Sequence, residues 1–288
     1  VSGGNTFKNG FYRVEGWVMA VGKNVESRGH ILGFKEEIDK AAQQSADCFA
    51  SWFNNDESED SAFLKGRWDF SYHIALPLMP YVYHPHNVEA LEIGCGGGRL
   101  LGAASGYFGN IAGIDIHNNL PYVEQRLNGR GVCNLLLRQT DGNCIPFEDD
   151  RFDVVYSFIV LQHVEKIAIL EKYISETLRV LKTDGVAILY FGRFCRFSGR
   201  KKSLARLYLD RFFEIFLPRG YRELSARVNE TNLIVTRRFV ENIVRSEGGV
   251  PLEWRVSRKN IPDGYEYYGG QHGLVFKKKS KVKESKTD

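Results

Sequence analysis

From residue 88 onward the chain alternates between short, almost wholly apolar runs and longer amphipathic ones. "VEALEIG", "IAGIDI", "NLLLRQTDG", "RFDVVYSFIV" and "VAILYFG" are dense in β-branched, aromatic and aliphatic residues and read as strands. Between them, "GGRLLGAASGYF", "LPYVEQRLNGRG" and "IAILEKYISETLRVL" repeat their apolar positions every three or four residues, the spacing a helix needs to bury one face. "KTDG" stops the third of these helices. Strands too apolar to face water on either side, joined by helices, predict a parallel sheet covered on both faces, hence an α/β fold. "TRRFVENIVRSEGG", "VPLEWRVSR" and "GGQHGLVFKKK" then add one helix and a closing pair of strands.

Two regions break this rhythm. Residues 1–85 read as an N-terminal helical or lid segment. In "GFKEEIDKAAQQSADCFASWF", Ile38, Ala42, Ala46, Phe49 and Phe53 share a helical face, and the acidic "NNDESED" that follows reads as a solvated loop or helix start. Trp68, Tyr72 and His73 in this segment are expected to pack beneath the lid. Residues 195–232 form an insert directly after the fifth strand, with Ala205, Leu209, Phe212 and Phe216 on one stripe among arginines. An insert there falls on the side of a parallel sheet where ligands bind. The main domain is expected over 86–276, and the basic stretch 277–288 is expected to be a disordered tail.

Composition narrows the class without naming a function. The chain has 288 residues, 43% of them apolar and 26% charged, which suits a soluble globular protein. The net charge of +4 is mild and much of it lies in the tail, so charge alone does not mark a nucleic-acid binder. No apolar run has the length of a membrane span and no secretory layout is present, so a cytoplasmic location is expected. Cys48, Cys95, Cys133, Cys144 and Cys195 show no paired or metal-ligand spacing, which predicts free thiols and no metal.

The most informative stretch is "LEIGCGGGRLL", residues 91–101. A dinucleotide fingerprint starting at Gly94 requires glycine at position 99, and Arg99 stands there. A phosphate loop would end in Gly-Lys-Ser/Thr, and this one does not. What remains is an acid followed by alternate glycines: Glu92, Gly94, Gly96 and Gly98, with Cys95 between. An acid at a strand end suits a cationic amine, and the glycines let main-chain groups approach a ligand closely. Asp115 ends the second strand, placed either to accept two ribose hydroxyls or to cap the next helix. Asp141–Gly142 follows the third strand, where it is also an ordinary turn signal.

Taken in order, these elements resemble the class I methyltransferases that use S-adenosylmethionine, in their small-molecule (type 11) branch. "SFIVLQHV" running into "ETLRVLKTDGVAILYF" is similar to later segments of that branch, with Asp184–Gly185 in place of its usual Pro-Gly or Gly-Gly. The likeness spans roughly residues 86–192 and the last strands. It implies a Rossmann-like, doubly wound, mostly parallel seven-stranded sheet whose last strand is antiparallel. It also implies S-adenosyl-L-methionine as cofactor, with Glu92, Gly94, Cys95, Gly96 and Gly98 at its amino-acid end, Asp115 and Ile116 at its ribose, and Asp141 and Gly142 at its adenine. The backbone of Ser157 and Phe158 would then lie near the sulfonium.

The activity implied is methyl transfer to a small-molecule or saccharide acceptor, at oxygen. His163 stands either as general base or as a structural histidine capping the next helix. Arg196, Arg200, Lys201, Lys202 and Arg206 stand either to hold an anionic acceptor or as a solvated helix face. His272, near Tyr267 and Tyr268, reads as part of a surface hairpin. Nucleic acid is not expected as a partner, because no aromatic-basic RNA module or Asn-Pro-Pro-Tyr-type motif occurs. Four alternatives stay open: transfer to RNA, transfer to a membrane lipid, a nicotinamide-dependent dehydrogenase, and a cofactor-binding protein without catalysis.

Overall fold

A computed structural model describes residues 30–54, 58–193, 204–224, 228, 230–256 and 271–279. Helices α1 (His30–Gln44), α2 (Ala46–Asn54) and α3 (Glu59–Asp69) precede the sheet. The Ser58 hydroxyl caps α3 by accepting from the Ser61 N–H, and α3 continues through a π-helical turn, Phe70–Ala75, into α4 (Leu76–Leu78). The expected single helical face over 38–53 is therefore split between two helices that meet at Ser45.

The sheet is built from β1 (Glu89–Ile93), β2 (Asn110–Asp115), β3 (Leu135–Gln139), β4 (Phe152–Ser157), β5 (Leu181–Gly192), and later strands of the chain. Helices α5 (Arg99–Ala104), α6 (Leu120–Gly129) and α7 (Ile167–Val180) connect them. The insert contains α8 (Leu204–Phe216) and β6 (Tyr221–Glu223), and β6 pairs antiparallel with β7 (Leu233–Val235), just past the insert's expected end at 232. After it come α9 (Arg237–Ser246), β8 (Gly249–Val256) and β9 (Gln271–Lys278). The order across the seven-stranded sheet is β3-β2-β1-β4-β5-β9-β8. β9 is antiparallel to both of its neighbours, and the pairings among β1 to β5 are parallel. The strand order reverses between β1 and β4, so the ligand crevice of an open sheet falls at the carboxyl ends of these two strands.

Alternation along the strands explains the two cores. Val155 of β4 with Ala187, Leu189 and Phe191 of β5 face α7 and α9. Val154 and Tyr156 with Val186, Ile188 and Tyr190 face the other side, where Phe49, Phe63, Phe70, Ile74 and Leu78 of the N-terminal helices meet Leu101 and Phe108. The N-terminal segment thus supplies much of one core. At Gly66 a Cβ would lie 2.3 Å from the Arg99 carbonyl oxygen, so α3 and the start of α5 touch backbone to side-chain-free backbone.

Three local readings change. "KTDG" lies inside β5, where the register with β4 jumps from Phe152↔Leu181 to Val154↔Val186 and Asp184 has a φ of 64°. This is a bulge, and it absorbs the extra residues without ending the strand. His272 is buried in β9 against Trp254, not on a surface hairpin. β9 also runs two residues past the expected domain end at 276, and Lys278 binds Asp150 and the carbonyls of Arg179 and Leu181. The rest of the expected tail, 280–288, lies outside the described residues, as do Cys195, Arg196, Arg200, Lys201, Lys202, Tyr267 and Tyr268. Among the described residues no helix is long and apolar enough to cross a membrane.

Candidate functional site

A cavity of about 460 Å³ opens at the carboxyl ends of β1 and β4. Its floor is the loop from β1 to α5. The N–H groups of Gly94 and Cys95 both donate to the Ile114 carbonyl at the end of β2, which draws the loop across the sheet edge. Gly94 has a φ of 76°, and a Cβ there would lie 2.4 Å from Val160 Cγ2. That position needs glycine on both counts, conformation and space.

Asp115 ties this loop to β2. Its Oδ2 accepts from the Gly96 N–H at 2.7 Å, and its Oδ1 accepts from the Ile116 N–H at 2.7 Å. Each carboxylate oxygen keeps a further lone pair, and Asp115 lines the cavity. An aspartate held this way presents two acceptors at a fixed spacing, the pattern that a vicinal diol recognises. His117, fully buried, supports the same turn. Its Nδ1 accepts from the Asn119 N–H at 3.1 Å, which leaves Nε2 to donate to the Gly96 carbonyl at 3.2 Å.

Glu92 sits at the inner end of the cavity, 3% exposed, and accepts from the Tyr156 hydroxyl at 3.2 Å. Burial pushes its carboxyl up to about 8, although Arg99 and the Tyr156 hydroxyl pull the other way. Arg99 in turn donates to Asp69, completely buried at the end of α3, at 2.6 Å. The arginine that breaks the dinucleotide pattern therefore joins the loop to the N-terminal helices. Burial beside Asp115 and Glu92 also raises the Cys95 thiol.

The roof comes from α1 and α2. Phe34, Ile38, Trp52 and Phe53 line the cavity, and a Cβ on Gly96 would lie 2.8 Å from the Phe53 ring. Asp39 of α1 accepts from Asn118 and Asn119 just after β2, which fixes the roof to the sheet. On the β4 side the wall is Phe158, Ile159 and Val160. Ile159 has a φ of 64°, costly for a β-branched residue, and its N–H donates to the side chain of buried Gln271 at 3.2 Å.

His163 closes this wall. Its Nδ1 lies 2.7 Å from the Glu230 carbonyl, an acceptor only, so that nitrogen carries the proton. Its Nε2 then accepts from the Gln162 amide at 3.1 Å. The insert supplies the contacts behind it: the Asn232 N–H donates to the Gln162 carbonyl and its Nδ2 to the His163 carbonyl.

Of the residues expected at the site, Glu92, Gly94, Cys95, Gly96, Asp115, Ile116, Phe158 and His163 line the cavity. Gly98, Asp141, Gly142 and Ser157 do not. Gly98 is the left-handed residue before α5, and the Ser157 hydroxyl donates to the Ile93 carbonyl. The exposed Asp141 carboxylate accepts from the N–H groups of Asn143 and Cys144, capping its own turn and lying below its ordinary range on that account. Thr140, one residue earlier, lines the cavity. Sequence reasoning missed His117, Ile159, Gln271 and the aromatic roof. Trp68 is half exposed and His73 stacks on Phe158 at 4.4 Å, outside the cavity lining.

Residues 91–189 match the family model described as a methyltransferase domain (Methyltransf_11). A sterol 4-C-methyltransferase of Caenorhabditis elegans, strm-1, is 31% identical over 108 residues, which is 36% of this chain and 31% of that protein. A ubiquinone biosynthesis O-methyltransferase of Bartonella tribocorum is 26% identical over 109 residues, 38% of this chain and 41% of that one. The chain thus spans less than half the length of these relatives. Among solved structures, the PH0226 protein of Pyrococcus horikoshii superposes with a TM-score of 0.51 at 18% identity, covering 80% of this chain and 96% of that one. YcgJ of Bacillus subtilis gives 0.50 at 15%, covering 73% and 99%. Residues 91–189 are thus similar to a methyltransferase domain, and the sheet has the Rossmann-like fold of these solved structures.

Proposed function

We propose that this chain binds S-adenosylmethionine and transfers its methyl group to a small-molecule or glycan-type acceptor, at oxygen. The observation that carries the reading is Asp115, buried at the end of β2, immobilised by two main-chain donors and with acceptor capacity left toward the cavity. The remaining lining fits the rest of the molecule. Glu92 supplies an acid for a cationic amine, and the aromatic and aliphatic residues around it suit an apolar ring and thioether chain.

When bound, adenosylmethionine supplies a methyl group already activated on sulfur. The protein's part is therefore to align an acceptor and keep water away. Phe34, Trp52 and Phe53 form the cover that excludes water. The rigid turn at Ile159, held by Gln271, fixes the β4 wall against which an acceptor is aligned. His163 Nε2 faces the Gln162 amide, and an acceptor hydroxyl replacing that amide would place its proton on the imidazole.

Titration calorimetry with adenosylmethionine, adenosylhomocysteine and NAD tests this. Heat with the first two and none with NAD is expected. Binding of NAD alone would assign the cavity to a nicotinamide cofactor.

A further inference from the structure

Helix α8 of the insert carries an apolar face with nothing over it among the described residues. Tyr208, Leu209, Phe212, Ile215 and Phe216 are each between 50% and 75% exposed. At about 100° of turn per residue these five side chains share an arc of about 120°. Such a cluster of large apolar groups is not the scatter of single exposed residues common on protein surfaces. The opposite side of the helix is the attached one. Glu214 projects from it and accepts from the Arg237 N–H at the start of α9, 3.1 Å away. The apolar face is thereby turned away from the domain.

Charge decides between occupants. Residues 196–222 contain eight basic side chains, Arg196, Arg200, Lys201, Lys202, Arg206, Arg211, Arg219 and Arg222, against two acidic ones, Asp210 and Glu214. A second copy seated on this face would bring together two segments of net positive charge. A nucleic acid would find aromatic and aliphatic side chains, not cations, at the centre of the contact. An anionic bilayer satisfies both features at once, taking phenylalanine, leucine and isoleucine into the headgroup–acyl boundary and matching the net positive charge of this stretch of sequence.

We infer that α8 docks the protein onto an anionic membrane surface. The same insert carries Glu230 and Asn232, which brace His163 and Gln162 at the cavity wall. Docking through α8 would therefore anchor the same insert whose later residues brace the cavity wall. Resting on the methyltransferase reading, this makes the acceptor a membrane-resident molecule, a lipid or a lipid-linked saccharide.

The test is co-sedimentation of the full chain with vesicles of phosphatidylcholine alone and of equal parts phosphatidylcholine and phosphatidylglycerol, at low and high salt. A double variant, Phe212→Glu with Ile215→Glu, is run beside it. Both positions are exposed, so an unchanged melting temperature and adenosylmethionine affinity certify its fold. The wild type is expected to pellet with the anionic vesicles and not the neutral ones, less so at high salt, and the variant to bind at least about tenfold more weakly. Equal binding to both vesicles, no binding to either, or a variant that binds like the wild type overturns the inference. So does a wild-type dimer that the variant converts to monomer without any vesicle binding. Vesicle binding without adenosylmethionine binding leaves the docking intact and refutes only the catalytic reading.

Discussion

The Gly96 N–H and the Asp115 Oδ2 lie 2.7 Å apart, joining the loop after β1 to the end of β2. One carboxylate therefore both shapes the glycine loop and presents acceptors to the cavity. Asp115→Ala removes both functions, and hydrogen bonds to a charged group are worth about 1.5–3 kcal/mol each. Adenosylmethionine affinity is expected to fall at least about tenfold, and calorimetry reads this directly. An unchanged affinity would remove Asp115 from the site.

The protonation of Glu92 should be visible in binding. Its folded value of about 8 stands above its ordinary 4.5 because burial disfavours the charged form. Between these two values the folded chain holds a proton that the unfolded chain has released. Stability without ligand should therefore decline as pH rises through that window and level off above it. A bound ammonium reverses the preference, so cofactor binding near neutral pH should release a proton and tighten as pH rises toward 8. Calorimetry in buffers of different ionisation enthalpy measures that proton, and Glu92→Gln should abolish it.

Gly94→Ala places a methyl 2.4 Å from Val160 Cγ2 at a φ of 76°. The left-handed conformation alone costs about 1–2 kcal/mol for a residue with a Cβ. A lower melting temperature with weaker cofactor binding is expected. Adding Val160→Ala should recover part of the loss, because it relieves the contact and not the dihedral angle.

His163→Asn separates proton transfer from cofactor binding. Adenosylmethionine affinity should stay within a few-fold, and turnover should drop by about a hundredfold or more, the usual contribution of a positioned base. Turnover at the wild-type level would leave His163 as a structural link between Gln162 and the insert.

Asp69→Ala tests the tie between the N-terminal helices and the loop. It removes the completely buried carboxylate to which Arg99 donates at 2.6 Å. A hydrogen bond to a charged group is worth about 1.5–3 kcal/mol, and the Arg99 side chain that remains is partly exposed. A denaturant titration should show the midpoint falling at unchanged slope.

Much of the domain was legible because its signals are local. The apolar runs that became β1, β2, β4 and β5 are buried on both faces, so their composition announces them without knowledge of partners, whereas β3, at the sheet edge, is only partly buried. The places of Glu92, Gly94, Gly96 and Asp115 on the cavity lining were legible as well, since strand ends and tight turns impose residue types at fixed short spacings. Asp141 shows the limit of that logic. Asp-Gly marks a turn wherever it occurs, and here the carboxylate is taken up by its own turn while Thr140 reaches the cavity.

What the chain determined by itself is the alternation of strands and helices, the turn at the end of β1 and the acid at the end of β2. These depend on dihedral preference and on periodicity within a few residues. The tertiary structure alone decided that Phe34, Trp52 and Phe53 roof the cavity, that His117 braces Gly96, and that Gln271 holds the turn at Ile159, more than a hundred residues away in sequence. Those contacts arise from packing across the sheet, where a side chain's surroundings are set by residues that no local spacing brings together.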